Sequence, residues 1–419
     1  MTTNGGEPGA AEPESGERPP PLLIATILGP EGNTGVHTHF RQLRAYLADL
    51  GEPTTLITPF SWGGPLATPV FGARLALARC SRPAGVAWYR FWHEVFLHQA
   101  LRRALARAGK CVIYAQCPLS ARAALAARQG PWQRVVMAVH FRVSQADEWA
   151  GKGEISRDGQ MFRAIRRLER DVIPRTDGLM YVSEWARTAL TRWLPEAARV
   201  PSVVIGNFVR AAPAARAEQA GEPLADLVTV GHLEPVKNHR YLLEVLAEAA
   251  RAGHRLTLDI YGEGPLRRDL LRRAEELDVS GLIRLRGFAP DVRRRLPRYR
   301  AYVHVSYSES SSLAIIEAMA AGLPIVAANI GPIAELCDDG AEARFWPLDE
   351  PAMAARILTA LLNSEADLRK AAGAARERFR REFDADVIAP RLLSFLTSHL
   401  QLWHESAKWA APTQRLRRQ

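Results

Sequence analysis

Short apolar runs alternate with longer stretches of helical spacing along most of this chain. "LLIATIL" (22–28), "TTLIT" (54–58), "CVIYA" (111–115), "RVVMAVH" (134–140) and "GLMYV" (178–182) are short and bounded, which predicts buried strands. "TGVHTHFRQLRAYLADLG" (34–51) instead spaces Val36, Phe40, Leu43 and Leu47 for one helical face and ends at Gly51. Residues 94–108 and 160–172 predict two more helices, both studded with arginine. Strands apolar on both faces and separated by helices predict a parallel sheet covered on both sides.

The rhythm pauses at "AAPAARAEQAGEPLAD" (211–226), a Pro/Ala/Gly-rich stretch without periodicity that reads as a linker. A second α/β series follows. Strands are predicted over 227–233, 255–262, 282–288, 301–307 and 324–329. Helices are predicted over 238–252, 264–277, 291–298 and 312–322, with a last one over 386–403. The predicted organisation is two Rossmann-like domains, 22–208 and 209–385, then the helix 386–403 and a basic tail at 404–419.

Composition changes this picture little. The 419 residues are 47% hydrophobic and 24% charged, an ordinary globular balance. Residues 1–21 are rich in Gly, Pro, Glu and Ala, bury almost nothing and are expected to be disordered. They lack the basic start and apolar core of a signal peptide. No run reaches the roughly 18 apolar residues that would span a bilayer. A cytoplasmic protein, at most peripheral to the inner face of a membrane, is the expectation. Cys80, Cys111, Cys117 and Cys337 have neither CxxC spacing nor clustered histidines, so reduced thiols are expected rather than a zinc site or a disulfide framework.

Charge is more informative. Residues 1–210 hold 26 Lys+Arg against 17 Asp+Glu, giving +9, while 211–419 hold 29 against 28, giving +1. A basic first half implies an anionic partner such as a membrane surface or a phosphorylated acceptor, or else only an arginine-solubilised surface. Arg102, Arg103, Arg107 and Lys110 fall on one helix, which would suit an anionic lipid surface. Interleaved aromatic stacking motifs are missing, which argues against a nucleic-acid partner.

The candidate chemistry lies where strands end. In "VGHLEPVKN" (230–238) a strand stops at Gly231 and Lys237 precedes the next helix, where free N–H groups and the helix dipole favour an anion. "YSESSSLAIIEAMAAG" (307–322) repeats the geometry with a serine-rich turn. There Glu317 either lies on a solvated helix stripe, with Ser310 or Ser311 as N-cap, or faces a ligand diol. "YGEGP" (261–265), "LRGFAPD" (285–291) and "GNTGVHTHF" (32–40) add glycine turns, and His140 ends a strand. None of these segments contains an Asp-x-Asp element that would hold a divalent cation on phosphates.

Taken in order, these segments resemble the retaining glycosyltransferases of family 4, with the GT-B fold of two Rossmann-like domains facing across a cleft. Glu309 and Glu317 match the family's E-x7-E pair. "VGHLEPVKN", "YGEGP", "RGF", "TGVHTHF", "DGLMYVSEWAR" and "VIGNFV" match further motifs over roughly 22–403. The resemblance implies a UDP- or GDP-sugar donor held by the second domain. Lys237 and the turn at Ser312, Leu313 and Ala314 would hold the diphosphate, and Glu317 the ribose. Glu309 would contact the sugar, while Arg286, Gly287 and Phe288 would flank the base. Gly35 would let the first domain approach the phosphates, and His140 would sit near the reacting sugar. It also implies a glycan, lipid-linked or small-molecule acceptor read by the first domain. The helix 386–403 would pack back on that domain. No metal site and no cofactor are implied.

Two departures stand out: His232 replaces the family's arginine, and Lys237-Asn238 replaces its Lys-Gly. His232 makes a catalytically silent partner subunit conceivable, and an epimerase or phosphorylase of the same architecture is a further reading.

Overall fold

The structure is a computed structural model that describes residues 22–32, 34–52, 54–63, 67–211 and 223–398. The expected disordered segment 1–21, most of the linker 211–226, the last residues of the helix 386–403 and the tail 404–419 lie outside the described residues.

Twelve strands form two six-stranded parallel sheets among the described residues. The first sheet contains β1 (Leu22–Ala25), β2 (Thr54–Ile57), β3 (Cys111–Ala115), β4 (Gln133–Val139), β5 (Gly178–Tyr181) and β6 (Ser202–Val204), in the order β2-β1-β3-β4-β5-β6. Its helices are α1 (Gly35–Asp49), α2 (Ala67–Cys80), α3 (Arg82–Ala108), α4 (Pro118–Ala127), α5 (Gln145–Gly151), α6 (Gln160–Val172) and α7 (Glu184–Trp193). The second sheet contains β7 (Ala225–Val230), β8 (Leu258–Tyr261), β9 (Ile283–Gly287), β10 (Tyr299–His304), β11 (Ile325–Ala328) and β12 (Ala343–Trp346), in the order β12-β11-β10-β7-β8-β9. Around it run α8 (His239–Arg251), α9 (Arg267–Glu276), α10 (Val292–Arg295), α11 (Leu313–Ala320), α12 (Gly331–Leu336), α13 (Pro351–Asn363) and α14 (Glu365–Glu382), and α15 (Ala385–Ser398) follows.

Both sheets are buried on two faces, which is why their strands read as unbroken apolar runs. In the first sheet, Leu23, Ile113 and Met137 pack into one core and Ile24, Tyr114 and Val136 into another. In the second, Leu258, Ile260 and Val303 face one core while Val228, Tyr302 and Ile325 face the other. Helix α15 buries Ile388, Leu392, Leu393 and Leu396 in the first-domain core beside Phe40 and Leu43.

The topology creates a switch point in each sheet, and ligands in such folds bind at the carboxyl ends of the strands that flank it. In the first sheet the point lies between β1 and β3, and in the second between β7 and β10. The loops that leave β7 and β10 carry Lys237 and Glu309. Element boundaries shift from the sequence reading where apolar runs continue past the hydrogen-bonded strand. The run 22–28 yields a strand of only four residues, and the helix expected over 94–108 is the second half of the 27-residue α3.

Candidate functional site

Lys237 closes a short 3-10 turn, Pro235–Lys237, rather than opening the following helix. Asn238 then takes a left-handed conformation, φ 53°, before α8 begins at His239. That conformation suits glycine, and asparagine tolerates it better than other side chains, which accounts for Asn238 where the resembling family has glycine. The loop is braced by the next one. A Cβ on Gly262 (φ 145°) would lie 1.9 Å from the Gly231 carbonyl oxygen, so "YGEGP" packs against this backbone only as glycine. The Lys237 stem lies over Gly231, where a Cβ would approach its Cδ to 3.7 Å.

From β10 the chain enters the serine turn. Lys237 Nζ donates to Glu309 Oε1 at 2.6 Å, and His304 Nε2, at the end of β10, donates to the same oxygen at 3.2 Å. No hydrogen bond from the described residues reaches Oε2. Burial by itself raises the Glu309 pKa, yet Lys237 and His304 overcome it and hold it at about 2. Glu309 is therefore a carboxylate at any physiological pH. Its side chain is only 10% exposed, whereas Lys237 keeps 28%.

The turn ends at Ser312, the N-cap of α11, and no side chain caps the helix. This differs from a Ser310 or Ser311 cap. The Ser311 hydroxyl is buried without a partner. Leu313 and Ala314 thus start a helix whose first N–H groups, with a spare hydroxyl beside them, form an anion-binding arrangement. Gly35 starts α1 in the other domain, and a Cβ there would meet Leu313 Cδ1 at 3.4 Å.

Glu317 is not on a solvated stripe. Its side chain is 15% exposed and lies 3.8 Å from the Arg293 guanidinium. Burial raises its pKa, opposed by Arg293 and by Arg41 of the first domain. The base-flanking candidates divide. Phe288 is exposed, while Arg286 is held at 2.9 Å by buried Asp259, which also receives Arg284 and the Tyr299 hydroxyl. Gly287 has φ 72° and marks the end of β9. His232 is half-buried in the segment that follows β7.

The ends of β3 and β4 in the first domain supply neutral groups. His140, directly after β4, donates from Nε2 to Gln116 Oε1 at 3.0 Å, and its ring stands 4.8 Å from that of His39. Burial first, and then His39, push its pKa well down. His39 is fully buried, donates from Nδ1 to Asn207 (3.1 Å) and accepts at Nε2 from Tyr114 (2.9 Å). Burial lowers its pKa to about 4. Both rings are uncharged near pH 7.

Between the domains opens a cleft of about 370 Å³. Lys237, Glu309 and Ser310 line one side and Arg142, Glu148 and Lys152 the other. Sequence reading missed His304, His39, Gln116 and these first-domain residues. The signal for His304 was available, because it ends a parallel strand just as His140 follows one. Nothing comparable marks Arg142, Glu148 or Lys152. Among the described residues no group of three His, Cys, Asp or Glu side chains is arranged as a metal site, and no helix is long and apolar enough to cross a membrane.

Comparison with known proteins matches the "Glycosyl transferase 4-like domain" to residues 34–207 and "Glycosyl transferases group 1" to residues 225–363. Glycogen synthase of Mycobacterium tuberculosis is 30% identical over 238 residues, covering 55% of this chain and 56% of that protein. The chain thus spans little more than half the length of that relative. Among solved structures, sucrose-phosphate synthase of Thermosynechococcus elongatus superposes with a TM-score of 0.67 at 18% identity, over 90% of this chain and 98% of that one. Anabaena HepE in complex with UDP-glucose gives 0.66 at 17% identity, over 90% and 99%.

Proposed function

Because the chain belongs to the GT-B glycosyltransferases of the family 4 type, we propose that it moves a hexosyl unit from a UDP- or GDP-sugar to a hydroxyl with retention of configuration. The acceptor is a glycan, a lipid-linked intermediate or a small molecule in polysaccharide or glycoconjugate biosynthesis. The observation that carries this reading is the meeting of Lys237 and Glu309 at 2.6 Å, on loops from the two strands that flank the second sheet's switch point.

In this reading the donor diphosphate lies against Lys237, the free N–H groups at Leu313 and Ala314, and the unpartnered Ser311 hydroxyl. Glu309 accepts from a sugar hydroxyl through Oε2, and Glu317 accepts from the ribose diol. The sugar–oxygen bond to the diphosphate breaks with its electron pair going to the leaving oxygen. The acceptor hydroxyl adds on the same face, and its proton passes to that oxygen. Lys237 and the helix dipole stabilise the growing charge, so neither a metal nor another cofactor is needed. Neutral His140 accepts or donates a hydrogen bond at the sugar, and Gly35 leaves room for the phosphates. The exposed Arg102, Arg103, Arg107 and Lys110 along and after α3 favour a peripheral position on anionic lipid at the cytoplasmic face.

The test is a melting-temperature screen against UDP, GDP, ADP and their sugar conjugates, followed by nucleotide release with the stabilising donor. A shift with one nucleotide and release of its diphosphate on adding an acceptor are expected. Isomerised donor without release would instead indicate an epimerase, and no shift with any nucleotide would contradict the reading.

A further inference from the structure

Helix α7 of the first domain begins with N–H groups that its own backbone does not satisfy. Two of them are taken by the second domain. The N–H groups of Glu184 and Trp185 donate to the two carboxylate oxygens of Glu335, at 2.8 and 2.6 Å. The preceding residue, Ser183, caps the helix by accepting from the Ala186 N–H. Its hydroxyl also donates to the carbonyl of Ser310 at 2.8 Å. Ser310 follows Glu309 directly and precedes the open N-terminus of α11. One short stretch of the first domain is therefore fastened to both α12 and the donor turn.

We infer that Glu335 is a positioning residue for the transfer, clasping the start of α7 so that Ser183 holds the serine turn in its donor-binding shape. Two further features fit this role. The residue is mounted firmly, since Arg378 of α14 donates to the Glu335 carbonyl at 3.1 Å and pairs with Asp338 and Glu342. The contact is also shaped for close approach: a Cβ on Gly331, at the start of α12, would lie 2.3 Å from the Trp185 ring. A negative charge against the positive end of a helix strengthens both hydrogen bonds. The clasp contributes nothing to the chemistry directly. It acts through Ser183 and Ser310 on groups that touch the donor.

The kinetic part of this inference rests on the proposed transferase function, whereas the clasp itself is tested without turnover. Spin labels at Arg163→Cys and Glu365→Cys, on a Cys80→Ser background, report the distance between the domains. In Glu335→Ala that distribution lengthens and broadens, and kcat with the donor that the melting-temperature screen selects falls about tenfold, as expected when hydrogen bonds to a charged group are lost. The melting temperature stays close to that of the parent, because Glu335 is at the surface. Gly331→Ala, which displaces Trp185, moves the distance the same way, and Glu335→Gln, which keeps one acceptor oxygen, falls between. Unchanged distances in Glu335→Ala and Gly331→Ala overturn the clasp, as does a loss of activity that only follows a loss of melting temperature. If no transfer is found with any donor, the distance measurement still decides the clasp, so the two failures are told apart.

Discussion

The strand ends of the two domains are built on different electrostatic plans. The second domain concentrates charge: Lys237 and Glu309 form a close ion pair, buttressed by His304, beside a serine turn that ends in an uncapped helix. The first domain places uncharged groups at the ends of β3 and β4, where Gln116 pairs with His140 and the His140 ring meets buried His39 of α1. It keeps its cleft charges, Arg142, Glu148 and Lys152, on the following loop and α5. A charged leaving group needs the first plan, because fixed charges and dipoles stabilise it without reorganising. An acceptor hydroxyl and a neutral sugar suit the second, because an ionised histidine there would be buried without an anionic partner. On the proposed reading, the domains divide the reaction along this line.

The largest expected effect separates the two walls directly. Lys237→Ala should lower turnover by about 10²- to 10³-fold while the far-ultraviolet spectrum stays native, as loss of a charge-stabilising group does elsewhere. His140→Ala, which removes only a neutral hydrogen-bonding group, should cost less in the same steady-state assay. Equal losses would erase the distinction.

The walls should also differ in their response to acid. Glu309, held at about 2, keeps its pair with Lys237 throughout the range above its ordinary pKa, and the stability it contributes disappears only as pH falls toward 2. His39 is lowered to about 4, so its contribution is complete above 6.5 and is lost as pH falls from there through 4, where the unfolded chain binds the proton first. His93, at about 4, and His239, at about 3, act in the same sense. Urea unfolding at pH 7 and pH 5 should therefore show a fall in stability that shrinks in His39→Gln, and a Glu309→Gln variant should retain the whole slope.

The smallest effect concerns the loop beneath Lys237. Asn238 spends backbone energy to hold φ 53°, and Asn238→Gly should raise the melting free energy by a few tenths of a kcal/mol or leave it level. A clear loss would mean that the asparagine side chain supports the loop in some other way.

Much of this contrast was written in the sequence, and unevenly. Parallel strands buried on two faces leave continuous apolar runs, so β3, β4, β8 and β10 were legible, and with them the strand ends near which the candidate residues lie. Lys237 and Glu309 sit on loops just after β7 and β10, and Glu317 lies one turn into α11, so their spacing from the strands could be read from the sequence. The first-domain wall could not. His39 lies within the polar-looking string "HTHF" and becomes a buried partner of Tyr114 and Asn207 only through contacts 75 and 168 residues away. Arg142, Glu148 and Lys152 belong to a loop and the short helix α5, whose charges look like any solvated surface. The aromatic hairpin of α2 and α3 was missed for a related reason: Phe71, Trp88, Trp92 and Phe96 pack mainly on one another, so no single helical stripe stands out. Glu335 was invisible because its partners are backbone N–H groups, which carry no sequence signature.

The central claim is that Lys237, fixed by Glu309 and by the loop at Asn238, is the cation that receives the donor diphosphate. Isothermal titration of UDP and GDP into the wild type and Lys237→Ala, both in excess chelator, tests it most directly. Binding of one nucleotide to the wild type, weakened at least tenfold in the variant, is the predicted result. Equal affinity in the two proteins, or binding that appears only when a divalent cation is restored, would contradict it.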